Sequence, residues 1–209
     1  ETLGIVWDAQ TAQATGEIDP GKIKSITAAL DGIAPLNAAW QQLLTFTAQY
    51  YQRSVGEVAL AALPPQLREL SPVQMQRRLG RAQPASTSGS AVVSSPALSP
   101  EQAVVLAQIE TRPGPFLLFG ATGSGKTEVY LQCVQSLLER DATAQALVMG
   151  PEINLTPQLE ARFRERFAPV YGEHAVVSLH SGMTNPQRLK SWLAAHAGRA
   201  RIVLGTRMA

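Results

Sequence analysis

The residues between Gly120 and Thr127 have the types and spacing needed to hold a chain of phosphates. They read Gly-Ala-Thr-Gly-Ser-Gly-Lys-Thr, which is the complete Walker A pattern. Glycine tolerates the positive φ angles that let consecutive backbone N–H groups point inward at phosphate oxygens. Lys126 adds positive charge for the β- and γ-phosphates, and the Thr127 hydroxyl is placed to ligate Mg²⁺. We therefore predict that this segment binds a nucleoside triphosphate.

Both flanks of this loop have the composition that a phosphate loop needs. Phe116 to Phe119 is a short apolar run, typical of a buried parallel strand. The helix predicted to follow has one apolar face and directs the positive end of its dipole at the phosphates. That face is formed by Tyr130, Cys133, Val134, Leu137 and Leu138. The alternative, a chance glycine-rich turn, is disfavoured because all eight loop positions and both flanks agree.

Composition limits the class of protein only loosely. The chain has 209 residues, 45% of them hydrophobic, and a net charge of +2, enough for one large or two modest domains. Cys133 is the single cysteine and is interpreted as a small core residue. No signal-peptide pattern or run of eighteen apolar residues occurs, so we predict a soluble, cytoplasmic protein. Glu1 is not an initiator methionine, and we expect the sequence to be a piece of a longer protein.

Downstream of residue 98, strand and helix patterns alternate. Strands are predicted at residues 116–119, 146–149, 175–179 and 201–204, with helices opening at Thr156-Pro157 and at Asn185-Pro186. This order predicts an α/β fold with a parallel sheet and right-handed crossovers. Ligands of such sheets bind at the carboxyl ends of the strands, where the phosphate loop, Pro151 and Thr206 would emerge.

The sequence before residue 98 predicts a small α+β region and a linker. Leu3 to Trp7 is predicted as a strand, Lys22 to Leu30 is ambiguous between strand and helix, and Asn37 to Gln52 has helical periodicity. Ser54 and Glu57 have capping-box spacing for a short helix. Residues 71–98 are small and polar in their middle part and are predicted as a flexible linker.

Four motifs together carry a family resemblance. They are Thr-Gly-Ser-Gly-Lys-Thr-Glu-Val-Tyr, Pro-Glu-Ile-Asn-Leu-Thr-Pro-Gln from Pro151, His-Ser-Gly from His180, and Gly-Thr-Arg from Gly205. The series closely resembles the PriA family of primosomal replication-restart DNA helicases, in superfamily 2. The resemblance covers residues 99–209 and implies a partial RecA-like first helicase lobe that uses ATP and Mg²⁺. It implies ATP contacts throughout the loop, at Gly120, Ala121, Thr122, Gly123, Ser124, Gly125, Lys126 and Thr127, the last two also catalytic.

The resemblance also implies a path for single-stranded DNA. Residues 151–158 correspond to motif Ia and residues 205–207 to motif Ib, which in such helicases contact phosphates rather than base edges. The implied DNA-binding residues are Pro151, Thr156, Gly205, Thr206 and Arg207. A purely structural role, in which Thr156 only caps its helix, stays open.

Gln102 has two interpretations. The resemblance places it at the family's adenine-reading glutamine, just before the phosphate loop. Ser99-Pro100-Glu101-Gln102 is also a capping box, in which the Gln102 side chain would reach back to the Ser99 backbone. We favour adenine recognition. His180, a lone histidine at a strand end, is interpreted as structural.

Residues 1–70 resemble, less specifically, the later part of the family's DNA 3′-end-binding domain. Lys24 matches a residue that contacts the terminus of the nascent strand, although a lysine on a polar face is usually just solvated. Tyr50 and Tyr51 could stack on bases, but their helical spacing favours the core.

The sequence departs from the family pattern in two respects. Residues 71–98 stand where the family has a winged-helix domain, and the Walker B motif, the second lobe and the zinc-binding cysteine region are not found here. Zinc is expected only in that missing part. Forked DNA, single-strand-binding protein, other primosome proteins and the replicative helicase loader are the implied partners, and association with the bacterial nucleoid follows. The alternatives are a phosphate-loop kinase or other NTPase acting on a small molecule, and a module for DNA binding and partner docking.

Overall fold

A computed structural model of the chain describes residues 4–7, 25–26, 29–30, 32–80, 95–151 and 157–206. The chain divides into two compact units, Glu1–Ala82 and Gln83–Ala209. The helices are α1 (Ala38–Tyr50), α2 (Val55–Ala62), α3 (Pro72–Gly80), α4 (Pro100–Thr111), α5 (Lys126–Arg140), α6 (Pro157–Tyr171) and α7 (Asn185–His196). The strands are β1 (Ala146–Met149), β2 (Val176–Leu179) and β3 (Ile202–Gly205), and a 3-10 turn covers Pro65–Glu69.

The first unit is helical in its described residues, and local capping sets where its helices begin. Asn37 accepts a hydrogen bond from the Trp40 N–H at 2.8 Å and caps α1. The capping box predicted for α2 is present, because the Glu57 N–H donates to Ser54 Oγ and the Ser54 N–H donates to the Glu57 carboxylate, both at 3.2 Å. The small core of this unit consists of Leu44, Ala48, Ala59, Leu67 and Met75.

Two predictions about the secondary structure of the first unit are wrong. Residues 4–7 form no strand, and no strand to pair with them occurs among the described residues of this unit. The flexible linker was predicted to start at Ser71, whereas α3 occupies residues 72–80. Ser71 caps α3 by accepting from the Gln74 N–H at 3.2 Å, and Met75 is buried. Most of the ambiguous Lys22 to Leu30 segment, and residues 81–94, lie outside the described residues.

The second unit is built on a parallel three-stranded sheet with the order β1-β3-β2. Met149 and Leu179 both pair with Gly205, so the three strands end at the same level. The bounds of β1, β2 and β3 each lie within one residue of the bounds of a predicted strand, so three of the four predicted strands are present. The α/β class with a parallel sheet is confirmed.

Helices α5 and α6 supply one side of the core of this unit. Phe163 and Phe167 are four residues apart on one face of α6, are fully buried, and stack at a centroid distance of 5.9 Å. They meet three apolar residues of α5, Leu131, Val134 and Leu138, and the inward residues of the strands. Leu189 and Leu193 of α7 are also buried, and Gly198 ends that region with a φ of +69°.

The strand predicted at residues 116–119 is not formed. Leu117 and Phe119 are 90% and 93% exposed. Both sides of the central strand β3 are taken by β1 and β2, and no strand among the described residues pairs with this segment. An apolar run provides strand composition, but a strand also needs a neighbour's backbone groups.

Within the part of the chain that the structure describes, none of the helices has the length and apolar composition needed to cross a membrane.

Candidate functional site

The phosphate loop takes the backbone conformation that its glycines allow. Gly123 and Gly125 have φ angles of +84° and +79°, and α5 begins directly after Gly125. A Cβ added to Gly120 would lie 2.7 Å from Ser124 Oγ, and one added to Gly125 would lie 2.3 Å from Gln102 Nε2. The positive φ therefore disfavours any side chain at Gly123 and Gly125, and a side chain at Gly120 would require Ser124 to move. The result is a cradle of backbone N–H groups at a helix N-terminus, which suits an anion.

Lys126 places its charge over this cradle. Its ammonium donates to the carbonyl oxygens of Gly120 at 2.5 Å and of Ala121 at 2.6 Å. Thr127 follows in the first turn of α5 and is half-buried. These two side chains fit a phosphate-bound Mg²⁺, since a single hydroxyl ligand leaves the remaining positions of the octahedron to phosphate oxygens and water.

Gln102 fulfils the local role and also contacts the loop. Its side-chain oxygen accepts from the Ser99 N–H at 2.9 Å, and Ser99 Oγ accepts from the Gln102 N–H at 3.3 Å, so the capping box is present. The same side chain donates through Nε2 to the carbonyl oxygen of Gly125 at 3.2 Å. Helix α4 is thereby tied to the phosphate loop. Contact of Gln102 with adenine stays a prediction.

A cleft of about 680 Å³ lies at the carboxyl edge of the sheet. It is bounded by the segments that follow β2 and β3 and by the first two turns of α6. The lining residues are Pro157, Glu160, Ala161, Arg164, His180, Ser181, Gly182 and Thr206. Polar groups of Arg164, His180 and Ser181 line the cleft beside the first turns of α6, and groups of this kind can contact phosphates.

The predicted DNA-binding residues are only partly described. Pro151 follows β1 and is exposed, Gly205 is the last residue of β3, and Thr206 lines the cleft although it is only 1% exposed. The Thr206 N–H donates to the Leu179 carbonyl oxygen at 3.2 Å, which fixes the segment after β3 against β2. Lys24, Thr156 and Arg207 lie outside the described residues, so their DNA contacts stay predictions.

Sequence reasoning missed two charged residues of the cleft. Arg164 donates through Nε to Glu160 Oε1 at 2.8 Å, and the other carboxylate oxygen of Glu160 accepts from Ser178 Oγ at 2.8 Å. The Glu–Arg spacing of four residues on one helix was the available signal. The sequence could not show that Glu160 and Arg164 lie in a cleft, because only the folded sheet brings Ser178 and Thr206 close to them. The Glu160 carboxylate orients Arg164. Its negative charge also disfavours strongly anionic ligands in this part of the cleft.

Two electrostatic contacts join α5 and α6 in the same order along both helices, which indicates that the helices run in the same direction. Burial raises the pKa of Tyr171, at the end of α6, and the negative charge of Glu139, at the end of α5, raises it further. Glu128, the third residue of α5, pairs at 2.5 Å with Arg166, the tenth of the fifteen residues of α6. Glu128 lies two residues after Lys126, so this ion pair joins the phosphate-loop end of α5 to α6.

In the first unit, an exposed aromatic surface replaces the core that was predicted. Tyr50 and Tyr51 are 70% and 66% exposed, so their assignment to the core is wrong. Phe46 stacks on Tyr50 at 6.0 Å, and the two tyrosine rings meet edge to face at 5.0 Å. Leu44 and Ala48 are the buried residues of α1. The side that carries the aromatic rings is exposed and therefore accessible to bases.

Two family matches cover most of the chain. Residues 99–209 match the family described as DEAD/DEAH box helicase, which is more than half of the chain. Residues 1–64 match the family described as 3'DNA-binding domain (3'BD). The matched ranges are the two parts for which sequence motifs implied a helicase lobe and a DNA-end-binding region.

Individual relatives share one name, Replication restart protein PriA. The protein from Haemophilus influenzae is 43% identical over 114 residues, covering 54% of this chain and 15% of that protein. The Treponema pallidum protein is 32% identical over 191 residues, covering 90% of this chain and 27% of that protein. The Rickettsia prowazekii protein is 29% identical over 211 residues, covering 99% of this chain and 28% of that protein. The chain thus spans less than a third of the length of these relatives.

Proposed function

This chain belongs to the DEAD/DEAH box helicase family. From that premise we propose that it is part of an ATP-dependent DNA helicase that acts in replication restart. The observation that carries the proposal is the juxtaposition of two features in one unit. A glycine-built phosphate loop opens α5, and a cleft of about 680 Å³ opens at the carboxyl edge of the sheet in the same unit. A kinase of small molecules would need a phosphate loop and an acceptor pocket, but it would have no reason for the segments that resemble motifs Ia and Ib, residues 151–158 and 205–207.

The nucleotide is ATP with Mg²⁺, held by residues 120–127. Backbone N–H groups of the loop cradle the phosphates, Lys126 exchanges its carbonyl partners for phosphate oxygens, and Thr127 ligates the metal ion. Gln102 reads the adenine edge with the amide hydrogen that Gly125 does not use. Bound Mg²⁺ would neutralise charge on the phosphates during transfer.

Single-stranded DNA runs across the cleft through contacts to its phosphates. Pro151, Thr156, Gly205, Thr206 and Arg207 form that path, chiefly through backbone N–H groups, hydroxyls and one guanidinium. The first unit binds the 3′ end of a DNA strand, with Lys24 near the terminus. These contacts are independent of base sequence, as a translocating motor requires.

Turnover by residues 1–209 alone is negligible. A Walker B carboxylate and an arginine finger, which phosphoryl transfer uses, are not among these residues. In a whole protein of the length of the relatives, the two motor lobes close on ATP and reopen after hydrolysis. Forked DNA, single-strand-binding protein, other primosome proteins and the loader of the replicative helicase are the partners, at the chromosome in the cytoplasm.

Titration of the chain with a fluorescent ATP analogue and with labelled DNA tests the proposal. We expect nucleotide binding that Lys126→Ala abolishes, while binding of forked DNA changes less than about twofold, since the two sites use different residues. DNA with a free 3′ end and a single-stranded arm should bind more tightly than blunt duplex. Equal affinity for forked and blunt DNA would contradict the proposal that the chain binds a DNA 3′ end and a single strand. ATP hydrolysis at the rate of an intact helicase would contradict the proposal that residues 1–209 alone have negligible turnover.

A further inference from the structure

A buried ion pair joins the phosphate-loop helix to the helix of the cleft. Arg166 Nη1 lies 2.5 Å from Glu128 Oε1, and the two side chains are only 6% and 20% exposed. Glu128 belongs to the first turn of α5, two residues after Lys126. Arg166 lies on α6, whose first turns contribute Pro157, Glu160 and Arg164 to the cleft.

Further hydrogen bonds hold this pair in one arrangement. Arg166 Nη2 donates to Ser95 Oγ, and Ser95 Oγ donates to Gln135 Oε1 at 2.7 Å. Gln132 Nε2 donates to the same Glu128 oxygen at 3.2 Å. Among the described residues, Arg166 Nε is buried without a hydrogen-bond partner. Glu128 is therefore the acceptor on which the buried guanidinium chiefly depends.

Stability alone is a weak reason for this pair. Desolvation of two charges offsets much of their attraction, and apolar residues of similar volume often serve a core as well. An ion pair does fix one relative position of two helices, because displacing either side chain leaves an unpaired buried charge. Here the two helices are the ones that carry the loop and the cleft.

We propose that Glu128 and Arg166 are positioning residues that couple nucleotide binding at the loop to DNA binding at the cleft. The inference rests on the proposed function. Neither side chain touches either ligand site; the pair acts by holding the start of α5 at a fixed position on α6. Coupling of two sites is reciprocal, so DNA tightens nucleotide binding by the same factor by which nucleotide tightens DNA binding.

The experiment measures the affinity of the 209-residue chain for a fluorescent ATP analogue, with and without saturating single-stranded oligonucleotide. For the wild type we expect DNA to tighten nucleotide binding by about fivefold or more. In Glu128→Gln and in Arg166→Gln the effect falls below about twofold, while nucleotide affinity without DNA stays within about threefold of wild type. The double variant loses no more coupling than either single variant, because both remove the same contact.

Glu110→Gln is the matched control. It removes a carboxylate from the Arg140–Glu110 pair at the other end of α5, which is 3.7 Å long and largely exposed. This variant should keep the full effect of DNA on nucleotide affinity. Glu128→Asp and Arg166→Lys retain the buried charges, and they supply folded protein with partial coupling if the glutamine variants fail to fold.

Three results overturn the inference. The first is full coupling in folded Glu128 and Arg166 variants, which would make the pair purely structural. The second is equal loss of coupling in Glu110→Gln. The third is a wild-type chain that binds both ligands independently, and that result leaves the proposed function intact. A wild-type chain that binds no nucleotide overturns both.

Discussion

The side-chain amide of Gln102 donates a hydrogen bond of 3.2 Å to the carbonyl oxygen of Gly125. This contact joins the first turn of α4 to the phosphate-loop residue that directly precedes α5, across 23 positions of sequence. Gly125 has a φ of +79°, so the carbonyl that Gln102 binds belongs to a residue in a conformation that few other residues adopt. The loop is thus held from outside as well as by its own glycines.

Gln102→Ala should weaken nucleotide binding by about three- to tenfold, the range expected for losing one or two hydrogen bonds. Ser99→Ala is the matched control, because it removes the N-cap of α4 and leaves the Gln102 amide beside Gly125. Both variants should lose about 1 kcal/mol of stability. Calorimetric titration with ATP and thermal unfolding separate the two effects. Equal nucleotide affinity in both variants would show that Gln102 only caps its helix.

Gly125→Ala should destroy nucleotide binding and destabilise the second unit. A left-handed φ costs an alanine about 1–2 kcal/mol, and the new Cβ would lie 2.3 Å from Gln102 Nε2. Gly56→Ala is the comparison, since Gly56 lies within α2 and nothing is within 4 Å of its added Cβ. That variant should gain about 0.5–1 kcal/mol through helix propensity. Urea unfolding measures both, and a tolerated Gly125→Ala would contradict the loop geometry.

Phe163→Ala should lower the free energy of unfolding by about 3–5 kcal/mol, because the ring is fully buried and leaves a cavity. Phe119→Ala makes the same change on a side chain that is 93% exposed, and its effect should stay within about 0.5 kcal/mol. Both values come from chemical unfolding followed by circular dichroism. A large loss in Phe119→Ala would mean that residues 116–119 pack against the unit in solution.

The thiol of Cys133 should react slowly with Ellman's reagent near neutral pH. Burial raises the pKa of this thiol, and the negative charge of Glu110 raises it further. The fold favours the neutral thiol. The contribution of this preference to the free energy of unfolding is full below the ordinary thiol pKa, and it is lost as pH rises through the raised pKa. Reaction should therefore accelerate at a higher pH in the folded chain than in urea-unfolded chain. Coinciding pH profiles would contradict this environment.

Local signals predicted the parts of the fold that local contacts create. Ser54 and Glu57 meet within one helical turn, and Phe163 and Phe167 lie on one face of α6 whatever surrounds them. Burial of Tyr50 and pairing of residues 116–119 depend on segments distant in the chain, and these predictions failed. Helix α3 was not predicted because most of its residues are polar, and the burial of Met75 depends on the rest of the unit.

The candidate site shows the same division. The glycines, Lys126 and Gln102 could be found from spacing because the phosphate loop is continuous in sequence. The cleft draws on α6 and on the ends of β2 and β3, which only the sheet brings together. Glu160 was thus found only in the structure, where Ser178 binds it from the neighbouring strand.

The order β1-β3-β2 puts the last of the three described strands in the middle of the sheet. Neither earlier strand has another described strand to bond with, so during translation both must wait until Ile202–Gly205 has left the ribosomal tunnel. Pairing over such sequence distances is slow. A nascent chain at this stage exposes Val176 and its apolar neighbours and is open to chaperone binding or premature aggregation.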